Sequence, residues 1–206
     1  MSPSIAKTQK SKKKSFSSFS MSEAYKYLGI RQLQEWQIDI KNLEPSEFFQ
    51  TYLRRLEVFD TRQLEAGKKM LVDAFLTEVI PDFQHLKIWK GAPLETNELK
   101  GIADYQVSED KIYHEKPLLV IVTAKKDDFE SGLAECLVQM KACQYHHQDR
   151  LVDILGIITN SSIWKFYKLT PTGEVYESTS YGSGNAAQTL GALHYIFQEC
   201  EKNLAL

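Results

Sequence analysis

Residues 117–126 read PLLVIVTAKK, and Asp127 and Asp128 follow at once. Leu118 to Val122 is an unbroken apolar run in which three of the five residues are β-branched. Its length suits a strand, and continuous apolarity predicts a strand covered on both faces. The run hands over to Thr123, Ala124, Lys125 and Lys126. In open α/β sheets, ligands bind beyond the C-terminal ends of the strands, so a buried strand ending in a lysine pair and two acids presents a candidate site. The competing reading makes Lys125 and Lys126 a plain solvated strand end. Upstream, Asp104 in GIADY is expected at the end of another strand, over 99–107, with a polar hairpin loop over 108–116.

The composition frames the rest. A chain of 206 residues, 43% hydrophobic, can bury a substantial core. Its formal charge of −2 hides an asymmetry, because residues 1–20 hold five lysines and no acid and leave the remainder at −7. A mildly acidic body is not a nucleic-acid binder by bulk charge. Three cysteines without a C-x-x-C argue for a reducing compartment and against a disulfide framework or structural zinc. No apolar run reaches membrane-spanning length and the start lacks a signal-peptide core, so the expectation is a cytoplasmic protein without a membrane partner.

Working outward, 1–20 is Ser/Lys-rich and is expected to be a disordered basic tail, serving as a solubilising tail or touching phosphates. Residues 21–60 read as a helical extension. Ser20-x-x-Glu23 forms a capping box that opens a helix closed by Gly29. Leu33, Trp36, Ile40 and Leu43 follow at helical spacing, and Phe48, Phe49, Tyr52, Leu53, Leu56 and Phe59 draw a second stripe. From residue 61 a longer helix, with Leu64, Leu71, Ala74 and Phe75 inward and Glu65 and Asp73 as its notable acids, runs to Pro81. Strands around 86–88, 99–107 and 118–122 come next, then a helix over 129–146 on which Glu135 and Gln139 share a face. A strand over 151–158, its hairpin partner over 163–169, a strand over 175–181 and a last helix close the chain. The order from residue 61 is helix, three strands, helix, strand.

That order, with the residues placed on it, resembles the PD-(D/E)XK nuclease superfamily, the restriction-endonuclease-like fold. Gly101-Ile102-Ala103-Asp104 resembles the G-x-x-D that supplies the first metal carboxylate. Thr123-Ala124-Lys125 falls where the family has Glu-x-Lys, and Gln139 falls where many members carry a helix glutamine. More narrowly, AKKDDFESGLAECLVQM and GIITNSSIWKFYKL are similar to an often cyanobacterial group of such proteins that read EAKKDDF–G–QCLAEM and TNG–W–FY–L. The resemblance covers roughly residues 61–200 and implies an α/β fold with an αβββαβ core, an N-terminal helical extension and a C-terminal hairpin plus helix over 61–206.

The implied chemistry is Mg²⁺-dependent phosphodiester hydrolysis of DNA. It needs a water made nucleophilic near neutral pH and a counter-charge for the phosphate, and Mg²⁺, which takes hard oxygen ligands, supplies both. The family's metal ligands map to Asp104, position 123 and the carbonyl of Ala124, and its lysine maps to Lys125, beside the nucleophile. Position 123, however, is threonine. Some members carry Ser or Thr there with the glutamate moved to the following helix, which makes Glu135 the candidate replacement: the expected catalytic set is Asp104, Lys125, Glu135 and Gln139, and the expected metal set Asp104, Ala124 and Glu135. Glu130 is nearer in sequence but fits a helix-dipole role. The alternative is a catalytically degenerate member acting as a nucleic-acid-binding or assembly module. Nucleic acid is the implied partner, and a homodimer is left open.

Weaker motifs have plainer readings. His146-His147-x-Asp149 lies at a helix end without further ligand spacing. Thr159-Asn160-Ser161-Ser162 fits a hairpin turn as well as a phosphate contact. Asp127 and Asp128 fit a helix cap.

Overall fold

Strand β5 (Leu119–Thr123) is buried at all five positions, as its composition requires, and lies between an antiparallel and a parallel neighbour. The structure, a computed structural model, describes residues 13–61, 63–114, 116–123 and 128–204. Before β5 come β1 (Lys14–Ser15), α1 (Met21–Leu28), β2 (Gln34–Trp36), α2 (Glu47–Leu56), α3 (Glu65–Val79), β3 (Leu86–Glu95) and β4 (Leu99–Glu109). After it come α4 (Phe129–His146), β6 (Ile154–Thr159), β7 (Ile163–Leu169), β8 (Val175–Ser178), β9 (Tyr181–Gly182) and α5 (Ala186–Lys202). The protein is mixed α/β, and α3-β3-β4-β5-α4-β6 follows the predicted order of helix, three strands, helix, strand.

Among the described residues the strands form one sheet in the order β1-β4-β5-β6-β7-β8-β2, with β3 on β4 and β9 on β7. β5 and β6 are parallel, joined through α4; β3, β4 and β5 form an antiparallel meander. The two helices flanking β5 lie on opposite faces of the sheet. Tyr105 pairs with Ile121 and its hydroxyl reaches α3, so that row faces α3. Val120 pairs with Gly156, where any Cβ would meet Sδ of Met140 at 2.5 Å and Sγ of Cys136 at 2.8 Å, so the alternate row faces α4.

Several local expectations hold. Ser20 and Glu23 form the full capping box of α1, and Gly29 ends it at φ 74°, in the left-handed region glycine tolerates. Asp128 caps α4 by accepting the Ser131 amide proton.

Others are corrected. The basic tail is not unstructured to residue 20: Lys14 and Ser15 pair with β4, and Phe16, 1% exposed, packs on Gly101. The residues at helical spacing over 33–43 do not form a helix. Gln34–Trp36 adds a parallel strand to β8, Trp36 meets Tyr195 of α5, and the Lys41 carbonyl crosses α5 at Gly191. Pairing with a distant strand edge and packing on α5 overrode a periodic but uncapped stretch. In α3, Ala74 and Phe75 are buried and Leu71 packs partly buried against the core as expected, joined by Lys68, Val72 and Val79, but Leu64 is exposed as the N-cap. Asp104 stands within β4, not at its end, because that strand runs on to Glu109.

Candidate functional site

Asp104 sits where the sheet opens. One edge of β4 pairs with β3 from Lys100 to Glu109. The other edge meets β1 at Leu99 and Lys100, then β5 only from Tyr105 to Val107. Among the described residues, Gly101 to Asp104 pair with nothing on that second edge. The facing ladder is interrupted too: Lys90 pairs with Tyr105 and Ala92 with Ala103, which sets Gly91, at φ 64°, opposite Asp104. Continuing the β4–β5 register would place Ala103 opposite Thr123. Instead the Thr123 amide donates to Oδ2 of Asp104 at 2.8 Å. The carboxylate thus lies near the sheet plane, in the gap, between the end of β5 and α3.

From α3, Nζ of Lys69 is 2.7 Å from Oδ1 of Asp104 and 2.7 Å from Oε1 of Glu65. Burial works against the Lys69 charge, but the hydrogen bonds to Asp104 and Glu65 outweigh it and hold its pKa above the ordinary lysine value. The helix is pinned beside this group. The Tyr105 hydroxyl donates to Oδ1 of Asp73 at 2.9 Å and lies 3.3 Å from the Lys69 carbonyl, while Lys90 pairs with Asp73 from β3. Burial first, then the Asp73 charge, raises the Tyr105 phenol far above its usual range, so the donor role is fixed.

Thr123 shares a cross-strand row with Thr159 and Trp164, on the face where Phe75 of α3 packs against Trp164 at 5.3 Å. Its side chain therefore turns toward α3. The Thr123 hydroxyl and Nε1 of Trp164 are buried without hydrogen-bond partners among the described residues. Glu135 and Gln139 belong to the other layer. Cys136 and Met140 point α4 at β6, and Gln144 on one flank donates to the Thr170 carbonyl beyond β7. Nine residues amount to two and a half helical turns, so Glu135 leaves the flank opposite Gln144, the one turned toward β4. There Gln139, 1% exposed, donates to Oε1 of Glu135 at 3.2 Å. The structure thus joins Asp104 with Thr123 and Glu135 with Gln139. The other two expected site residues, Ala124 and Lys125, lie outside the described residues.

Among the described residues, the donors do not fit a divalent cation of the kind the resemblance implies. Position 123 offers a neutral hydroxyl facing α3 where the family offers a carboxylate. Asp104 already gives one oxygen to an ammonium and the other to an amide, and Glu135 is engaged by Gln139. Among the described residues, no three His, Cys, Asp or Glu side chains are grouped as a metal ion would need.

The remaining motifs resolve into structure. His146 bonds the Glu95 carbonyl, His147 the Pro117 carbonyl, and Asp149 pairs with Lys116, so the three do not converge. In the 159–162 turn, Asn160 Oδ1 accepts the amide protons of Ser162 and Ile163, Thr159 Oγ1 accepts that of Ser161, and Ser161 adopts φ 74°. The three cysteines are buried, and burial raises their thiols well above the reactive range. Lys69 is the site residue that sequence reasoning missed. Its one signal is the i,i+4 spacing from Glu65, which many solvent-exposed helix pairs share.

Among the described residues, no helix is long and apolar enough to cross a membrane. No protein-family model and no curated protein matches the chain.

Proposed function

We propose that this chain is a restriction-endonuclease-like protein whose centre no longer hydrolyses phosphodiesters, and that it serves as a binding or assembly module with nucleic acid as the implied partner. The observation that carries the reading is the state of position 123: a neutral, buried side chain turned toward α3 where the family carries its second metal carboxylate. Removing one unit of negative charge from a two-carboxylate site weakens Mg²⁺ binding, because the ion is held by charge and hard oxygen donors. The element order and the placement of Asp104 beside the end of β5 support the lineage. They do not supply the chemistry.

A second reading keeps the nuclease and moves the glutamate to Glu135. It is favoured by the flank of α4 on which Glu135 and Gln139 sit, turned toward the strand of Asp104.

Purified protein incubated with supercoiled plasmid, linear DNA or RNA in Mg²⁺ or Mn²⁺ decides between them. The expected result is no cleavage above a no-protein control, with Asp104→Asn and Glu135→Gln indistinguishable from wild type. Metal-dependent cleavage lost in both variants would overturn the first reading in favour of the second.

A further inference from the structure

We propose that the Lys69 ammonium is a resident cation, filling between Asp104 and Glu65 the place that a divalent metal would otherwise take. The inference rests on the reading of a non-hydrolytic centre and says what occupies it. One nitrogen lies 2.7 Å from a carboxylate oxygen of β4 and 2.7 Å from one of α3. Bridging two carboxylates from different elements is what a bound cation does, here performed by a side chain.

The charge count links Lys69 to the threonine. A divalent ion balances two carboxylates at the sheet opening, while a single ammonium balances one. Asp104 and Glu65 already exceed the single Lys69 charge by one, so a glutamate at position 123 would add a further uncompensated acid to a partly buried gap, and the neutral Thr123 avoids it. The ammonium is also held from behind. The Lys69 carbonyl lies 3.3 Å from the Tyr105 hydroxyl, on the β4 residue next to Asp104, and Tyr105 is tied to α3 again through Asp73. The main chain of Lys69 is therefore fixed against the strand its side chain must reach, and the i,i+4 bond to Glu65 fixes the direction of that side chain. A metal at Asp104 would have to sit against a positive charge already in contact with that carboxylate.

Titration with Mn²⁺, read by loss of the free-ion paramagnetic resonance signal, tests the idea. Wild type should take up no Mn²⁺ through Asp104 and Glu65. Lys69→Met should bind Mn²⁺ at least about tenfold more tightly than wild type, and adding Glu65→Gln or Asp104→Asn to Lys69→Met should abolish the gain. Lys69→Gln, which is neutral but keeps a donor for Asp104, is the second variant should the methionine form fail to fold, and Lys69→Arg should gain nothing. A folded Lys69→Met or Lys69→Gln protein that gains no Mn²⁺ binding overturns the proposal. So does wild-type binding that is lost in Glu65→Gln, an arm that does not depend on the Lys69 variants. Cleavage by wild type in the preceding experiment sinks the non-hydrolytic reading. An absent gain with silent wild type sinks this inference alone.

Discussion

His147 closes α4 and is 4% exposed. Its Nε2 lies 3.2 Å from the Pro117 carbonyl, which can only accept, so the neutral ring carries its proton there; Nδ1 is buried with no partner among the described residues. A second proton would be placed on that buried nitrogen. Burial is the main reason the His147 pKa falls below its ordinary value, and the nearby Lys116 and Arg150 charges add to it, against the Pro117 bond and Asp149, which raise it. A histidine depressed in the folded state contributes stability that is intact above the unfolded value of about 6.5. That stability is lost as pH falls from there toward the lower folded value, because only the unfolded chain takes up the proton. Thermal midpoints measured between pH 7.5 and 5.5 should therefore drop more steeply for wild type than for His147→Gln. Parallel slopes would refute this account. At this scale the sequence told part of the site. Asp104 could be picked out because Gly101-Ile102-Ala103-Asp104 resembles a G-x-x-D and precedes a fully buried strand, although the strand end expected at Asp104 lies five residues on, at Glu109. Lys69 could not, since a lysine on an amphipathic helix reads as solvated whether it faces water or a carboxylate. The side of the sheet taken by Thr123 follows from alternation, but knowing which helix covers that side required the fold.

Elements whose identity is written in a local pattern were legible, and those made by distant pairing were not. β5 and β6 announce themselves by unbroken burial, and α1 by its capping box and Gly29. β1 is two residues in a Ser/Lys-rich field, and nothing nearby signals that it will pair with β4. Phe16 completes that misread element. It is 1% exposed, and a Cβ built on Gly101 would lie 2.5 Å from its ring, so the N-terminal segment and β4 are fitted to each other at this point. Phe16→Ala should destabilise the protein by about 3 kcal/mol or more, a fall in the thermal midpoint of roughly 6 °C or more for a chain of this size. Gly101→Ala should also destabilise, by overpacking against the ring. The pair should be non-additive, with the alanine at 101 tolerated better once the ring is gone. Strict additivity in denaturant unfolding of the four proteins would show that the contact is not made in solution.

Across the whole molecule, the segment that reads as an extension supplies part of the common core. Leu28, Trp36, Phe49 and Leu56 belong to the same apolar cluster as β5, β6, α4 and α5. Phe49 packs edge-on against Phe75 of α3 at 5.1 Å, Trp36 against Tyr195 of α5 at 6.1 Å, and β2 ends the sheet by pairing with β8. Those four side chains contribute on the order of 6–12 kcal/mol at about 1.5–3 kcal/mol each. That is comparable to the entire stability of a typical domain, about 5–15 kcal/mol. Cutting the chain at residue 61 would also bare the faces of α3, α4 and α5 that α1, α2 and the 37–46 crossing cover. A fragment of residues 61–206 should therefore lack a cooperative melt, even though it carries every element of the αβββαβ order. The full chain should unfold in one transition, with tryptophan fluorescence, which includes Trp36 from the extension and Trp164 from the central sheet, coinciding with far-ultraviolet circular dichroism. A fragment that melts sigmoidally with native near-ultraviolet dichroism would make 61–206 a domain in its own right, and the apolar contacts of residues 21–60 would then be a docked surface, separable from the core they now complete.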